Sequence, residues 1–223
     1  MRRGQRQPSW MPCMLAFCII MTNTMALSTK SHHTGKPTIP WIVRSPTLHD
    51  KPAIESVFRA SYGALLPHDY DADLLHLGLP KICQVRDDLL TSSTWYVVEH
   101  PTQPHGIVGC GGWTPESPMT TTNPQTCPHL RHFATHPQHT RQGIGRVLWD
   151  RIWKDWCEYY DDHHHQQQQL NNNNKRPDME VFSTLTARPF YESLGFETVE
   201  EILIPLAGEC LFPSILMRRP DSS

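Results

Sequence analysis

The sequence predicts an α/β (α+β) domain built on a mixed sheet with helices on both faces. Three observations lead there. Short β-branched and aromatic runs alternate with stretches of helical apolar spacing. Three strands in mid-chain hand over to a strand-helix-strand order, which calls for a crossover onto one face of the sheet. A chain of 223 residues is long enough for one domain with a sizeable core and some tail, and short for two.

The elements follow in chain order. Residues 41–44 ("WIVR") read as a strand ended by Ser45-Pro46, and a helix capped near Asp50 carries Ile54, Val57, Phe58 and Tyr62 on one face. A second short helix spans "DADLLHLGL". "TWYVVEH" and "IVGCGGW", parted by the turn-rich "PTQPHG", make a hairpin. "TPESPMTTTNPQTCP" is a loop, and "HLRHFATHP" is the next strand, stopped by Pro137. A helix from about Gly143 to Tyr160 follows, with Ile144, Val147, Leu148, Ile152, Trp156 and Tyr159 in one stripe beside Trp149 and Trp153. The run "DDHHHQQQQLNNNNKRPD" has little to bury, so residues 163–176 are expected to loop out as a low-complexity insertion. "MEVFSTLT" is a strand, "ARPFYESLGF" a short helix with Gly195 as its C-cap, and "TVEEILIPL" and "LFPSILMRR" are the last strands.

Charge divides the chain. Six Lys and Arg and no acidic residue precede Asp50; from there on, 14 Lys and Arg face 22 Asp and Glu, a formal excess of eight negative charges. Such a body is unsuited to gripping a nucleic-acid backbone and leans toward cationic substrates. Residues 1–40 combine a basic start, an apolar run from Met11 to Met21 and a Ser/Thr-rich stretch. That pattern reads as a targeting segment: the apolar run has the length of a signal-peptide core, and the Arg-containing, acid-free composition suits a transit peptide for a mitochondrion or plastid, alone or in tandem with a signal; a plain disordered extension on a cytoplasmic protein is the alternative. The run is too short to span a bilayer, so no stable membrane insertion is expected. Residues 41–219 form the folded domain and 220–223 a tail. The seven cysteines have no C-x-x-C pair, and the five beyond the head suit free thiols. His163, His164 and His165 stand inside a Gln/Asn tract and lack the fixed spacing of a metal site, so no metal is expected.

The chemistry concentrates in "HFATHPQHTRQGIGRVLWDRIWKDW". A Walker-type loop would need Lys after its last glycine, and a dinucleotide fingerprint a small residue where Leu148 stands. A third reading is an anion cradle of the kind that takes the pyrophosphate of coenzyme A. The first amides of a helix point outward without partners, Gly143 and Gly145 remove the Cβ atoms that would hold phosphates off, and Arg141 and Arg146 add charge. A packing pair of glycines is the plain alternative.

The strand, Pro137, the "RQGIGR" loop, the apolar helix and the downstream "ARPFYESLGF" together resemble the acetyl-coenzyme A signature of the GCN5-related N-acetyltransferase (GNAT) superfamily. The likeness runs from about Trp41 to Arg219. It is nearest to a poorly assigned bacterial-type branch with a "GCGGW" strand, an "R-x-F-x-x-H-P" strand, "RQGIGR" and "TL…FY…LGF". The resemblance implies a twisted, mixed but mostly antiparallel sheet and acetyl-coenzyme A as co-substrate. It implies that Phe133 and Thr135 pair through their backbone with the pantetheine arm. Arg141, Gln142, Gly143, Ile144, Gly145 and Arg146 would hold the pyrophosphate, and Tyr191 would stand near the sulfur.

Acetyl transfer from a thioester to an amine needs a neutral amine, a polarised carbonyl and protonation of the leaving thiolate. A Tyr phenol, with a pKa of about 10, stays protonated at neutral pH and suits the last task, so Tyr191 is the candidate acid. Some relatives place a Glu on the strand before the cradle. Here that strand offers His132 and His136, and Glu116 stands after "GCGGWTP"; all three are candidates for the base. Trp113 suits either an acceptor pocket or the core. The expected activity is direct acetyl transfer to a primary amine in a ternary complex. A non-catalytic acyl-coenzyme A sensor on the same fold is the alternative.

Overall fold

In a computed structural model, residues 41–103, 106–118, 127–171, 176–207 and 210–221 are described, within one compact unit, Ile39–Ser223. The expectations for residues 1–40 lie outside the described residues, as does most of the Pro/Thr-rich loop.

Seven strands make one sheet in the order β1-β2-β3-β4-β5-β7-β6. They are β1 Ile42–Arg44, β2 Trp95–Glu99, β3 Ile107–Thr114, β4 His129–Thr135, β5 Met179–Ser183, β6 Glu197–Leu206 and β7 Cys210–Arg219. Every neighbouring pair is antiparallel except β4 with β5. The mixed, mostly antiparallel sheet with helices on both faces is therefore as expected.

Helices α1 (Lys51–Leu65), α2 (Ala72–Ile82) and α3 (Asp87–Leu90) lie in the connection from β1 to β2, whereas α4 (Ile144–Asn171) and α5 (Arg188–Ser193) flank β5. The four-residue α3 has no apolar period of its own and was not foreseen; Leu89 and Leu90 are nonetheless buried. Asp71 caps α2 by accepting from the Asp73 amide.

Each face of the sheet has its own core. On one, Ile54, Val57 and Phe58 of α1 pack with Leu89, Leu90, Trp95, Val97 and Cys110. On the other, Ile144, Leu148, Trp149, Ile152, Trp156 and Tyr160 of α4 pack with Leu130, Val181 and Met217. Burying one such aliphatic or aromatic side chain contributes about 2 kcal/mol. The buried stripe of α4 ends on Tyr160, with Tyr159 half-buried beside it. Trp113 belongs to this core: fully buried, it stands edge-on to Trp156 at 5.1 Å and donates its indole N–H to Asp155 at 2.8 Å. The acceptor-pocket option for Trp113 is set aside.

Two boundaries differ from the expectation. Helix α4 runs on through the low-complexity tract to Asn171, so the first part of residues 163–176 is helix rather than loop; residues 172–175 lie outside the described set. Once packed turns have nucleated a helix, each further residue adds one hydrogen bond, and Gln is a good helix former. The Arg176 guanidinium holds Asp161 at 2.9 Å across the base of this tract, and its amide donates to Asp221 at 3.2 Å. Asp221 is buried, so the domain extends to that residue and the tail is shorter than 220–223.

Candidate active site

Strands β4 and β5 pair only at His129 with Glu180 and Leu130 with Val181. From Arg131 onward the β5-facing edge of β4 has no partner strand, which leaves Phe133 and Thr135 with a free backbone edge. The opening exists because each strand leads away into a helix on the same face, α4 after β4 and α5 after β5. At its end lies the loop from Pro137 to Gly143.

The loop is set by backbone conformation. Pro137–His139 form one 3-10 turn, which Thr140 closes by donating its hydroxyl to the Pro137 carbonyl at 3.1 Å. Arg141 at φ +60° and Gly143 at φ +86° then turn the chain through the left-handed region. The Trp41 indole N–H donates to the Gln142 carbonyl at 3.0 Å and ties the loop to the start of β1. The first helical bond runs from the Val147 amide to the Gly143 carbonyl. The amides of Ile144, Gly145 and Arg146 find no backbone acceptor among the described residues, as an anion cradle requires.

The two glycines do different work. A Cβ on Gly143 would meet no protein atom within 4 Å, so that position faces open space and needs glycine for its φ. A Cβ on Gly145 would stand 3.0 Å from the Phe190 ring, so that glycine lets α4 pack against α5. The expectation that both glycines clear room for phosphates is corrected at Gly145. Arg141 and Arg146 are exposed beside the loop, with Arg146 reaching the Ser193 carbonyl at 3.4 Å.

Tyr191 reaches the opening from the α5 side. It is buried against Phe133, Phe190 and Phe196, with ring centroids 5.4 to 6.4 Å away, and burial pushes its phenol upward from the usual range. It therefore stays a proton donor throughout the neutral range. Tyr62 comes from α1 on the other face, stacked on Phe58 at 5.6 Å. Its phenol is likewise pushed well up by burial, with Cys110, Tyr191 and Cys83 adding to the effect. Sequence reading treated Tyr62 as one more residue of the apolar stripe.

The structure separates the three candidate bases. His132 sits in a β-bulge: Cys110 pairs with Ala134 and Gly112 with Arg131, so His132 and Phe133 both face Gly111. A Cβ on Gly111 would stand 3.1 Å from the Phe133 Cα, so any larger residue would crowd the bulge. At φ +46° the bulge aims the His132 ring at Phe58, 5.4 Å away, while Phe133 keeps to the α4 face. Burial, and then the Arg131 charge, bring the His132 pKa down to about 4, so the imidazole is neutral at ordinary pH.

His136 lies beyond the end of β4. Its ring accepts weakly from the Gln138 amide and sits 5.8 Å from His139, on the side of the loop where Trp41 and His100 also cluster. Glu116 is exposed past the end of β3, where Thr114 pairs with His129. That is the far end of β4 from the cradle, about 20 Å along six strand residues. Only His132 is brought to the opening. Among the described residues no group of three His, Cys, Asp or Glu could hold a metal ion, and no helix is long and apolar enough to cross a membrane.

The fold has counterparts among known proteins. Residues 91–198 match the family model of the acetyltransferase (GNAT) domain. Among solved structures, the fold is similar to a GCN5-related N-acetyltransferase from Rhodopseudomonas palustris, with TM-score 0.56, 14% identity, and 80% of this chain and 94% of that chain covered. It is also similar to the PaiA N-acetyltransferase of Thermoplasma acidophilum, solved in complex with coenzyme A, with TM-score 0.56, 11% identity, and 81% and 98% covered. No curated protein matches the sequence. The matched stretch reaches from just before β2 to the start of β6 and so contains the bulged strand, the loop and Tyr191: residues 91–198 are a GNAT acetyltransferase domain.

Proposed function

We propose that the chain is an acetyl-coenzyme A-dependent N-acetyltransferase that moves the acetyl group directly to a primary amine. The observation that carries the proposal is the opening between β4 and β5, bounded by free amides at the start of α4 and faced by Tyr191 from one side and His132 from the other.

The residues fit coenzyme A. The amides of Ile144, Gly145 and Arg146, with the open side of Gly143, suit the pyrophosphate, and Arg141 and Arg146 add charge at the rim. The free edge at Phe133 and Thr135 suits an amide-bearing arm laid along it like an added strand. The co-substrate supplies an activated thioester. His132 would receive the amine proton: it is unprotonated above about pH 4, and the burial and Arg131 charge that keep it so also make it a weak base until the acceptor is bound. Tyr191 would donate to the departing sulfur. The described cysteines are all free, and Cys110 is buried with its thiol pushed up, so direct transfer needs no acetyl-cysteine step.

The test is release of free thiol from acetyl-coenzyme A over an amine library, preceded by thermal shift. Stabilisation by acetyl-coenzyme A with thiol release supports the enzyme. Stabilisation with no release over any amine supports the sensor, and no stabilisation removes both. We further propose that residues 1–40 address the protein to an organelle, because they combine basic, acid-free and apolar stretches. A fluorescent reporter fused to them would stay diffuse in the cytosol if that is wrong.

A further inference from the structure

The "R-x-F-x-x-H-P" strand opens with Arg131, the charged residue nearest the opening that acetyl transfer leaves unused. It is half-buried, and its side chain makes no hydrogen bond or ion pair among the described residues. Other cations around it are engaged: Arg86 holds Asp88, and Arg218 holds Glu180. Its cross-strand neighbour is Gly112, and the space a side chain would take there is filled by the Trp95 ring, an apolar surface and no counter-ion.

The two polar neighbours on its own strand are His129 and His132. Burial holds both neutral, and the Arg131 charge adds to the effect, so neither balances it. Burial disfavours the charged form of Arg131 too, but a guanidinium is not deprotonated in a protein. The Asp88 carboxylate favours the Arg131 charge from a distance but is bonded to Arg86, so among the described residues Arg131 is a half-buried cation with no bonded anion, a costly arrangement unless one arrives from outside.

Its position gives that anion a purpose. Arg131 is the first residue beyond the last β4–β5 pair, and the bulge puts it next to His132 on the α1 face. We infer that the acceptor is an amine that also carries a carboxylate, of amino-acid type, and that Arg131 binds this carboxylate while the amine lies beside His132. The inference rests on the acetyl-transfer reading and deepens it. It also opposes the lean toward purely cationic acceptors drawn from the acidic body, because a desolvated local charge outweighs a screened average.

The experiment uses the full chain saturated with coenzyme A. Binding of amino acids, their carboxamides and the corresponding decarboxylated amines is measured calorimetrically, and thiol release from acetyl-coenzyme A is followed over the same panel. The wild type should bind at least one amino acid about ten- to hundredfold more tightly than its two analogues, the range for hydrogen bonds to a charged group. Arg131→Gln should abolish that preference and Arg131→Lys restore part of it. An unchanged thermal shift with coenzyme A shows that each variant is folded. A wild type that binds no amino acid of the panel, equal binding of acids and amides, or an Arg131→Gln variant that keeps the preference overturns the inference. Acid-selective binding without thiol release removes catalysis and leaves Arg131 its role; thiol release with amides and acids alike keeps catalysis and removes the role.

Discussion

His129, at the start of β4, makes acid stability a direct test of the packing around the bulged strand. Its side chain is 2% exposed, stands edge-on to Phe182 at 4.3 Å, and its Nδ1 has no hydrogen-bond partner among the described residues. Burial, and then the Arg131 charge, draw its pKa from 6.5 down to about 3. The unfolded chain takes up a proton on this residue near pH 6.5, where the folded chain does not. The stability associated with neutral His129 is therefore complete above pH 6.5 and is lost progressively as the pH falls toward 3. Each pH unit within that window removes about 1.4 kcal/mol, so acidification from pH 7.5 to 5 removes about 2 kcal/mol through this residue. For a domain of this size that is a fall of about 4–8 °C in Tm. Urea unfolding followed by tryptophan fluorescence at both pH values, on the wild type and His129→Leu, measures it. His132 titrates in the same window in both proteins, so its contribution cancels in the comparison. The wild type should lose about 2 kcal/mol more than the variant. An identical loss in the two would refute the claim that His129 is held neutral by burial.

Tyr191→Phe keeps the packed ring and removes the proposed acid, so thiol release should fall by about 10²- to 10³-fold with Tm nearly unchanged; an unaffected rate would remove that role. Gly143→Ala should cost about 1 kcal/mol for its backbone at φ +86° and nothing for space. Gly145→Ala should cost about 1–3 kcal/mol, because the new methyl stands 3.0 Å from Phe190, and Phe190→Leu should recover part of it; thermal melts of the single and double variants decide this. Arg176→Ala removes the charged hydrogen bonds to Asp161 and the looser ion pair with Asp221 at 3.8 Å, keeps the amide bond to Asp221, and should cost about 2 kcal/mol, with faster proteolysis between residues 161 and 176 as the second readout.

The fold was legible wherever burial imposes a period. Ile54, Val57 and Phe58 on α1, and Ile144, Leu148, Ile152 and Trp156 on α4, are buried because a helix facing a sheet must repeat its apolar residues at three and four. Gly195 was readable as a C-cap because a left-handed residue favours glycine; its φ is +87°. Periodicity carried nothing about α3, which is a single turn, or about the extension of α4, where continuation of a formed helix needs no apolar face. Asp221 looked like tail because its partner Arg176 lies 45 positions away, and an amide bond and ion pair between distant residues leave no local pattern.

The site was legible as a loop and illegible as a geometry, and the bulge accounts for the difference. Strict alternation along "HLRHFATHP" assigns Arg131 and His132 to opposite faces, which makes them look unrelated. One extra residue in β4 breaks the alternation, and its only signature in sequence is on the neighbouring strand, where Gly111 and Gly112 leave room for Phe133 and Trp95. The glycines of "GCGGW" thus belong to the chemistry of the adjacent strand. They let one strand present a cation and a neutral imidazole side by side while Phe133 stays in the opposite core to support Tyr191 and Gly145. A residue with a Cβ at position 111 would press on Phe133 and work against the bulge, in favour of the regular pairing that returns His132 to alternation. The proposed base and the proposed anion partner would be separated by that step even though neither residue has changed.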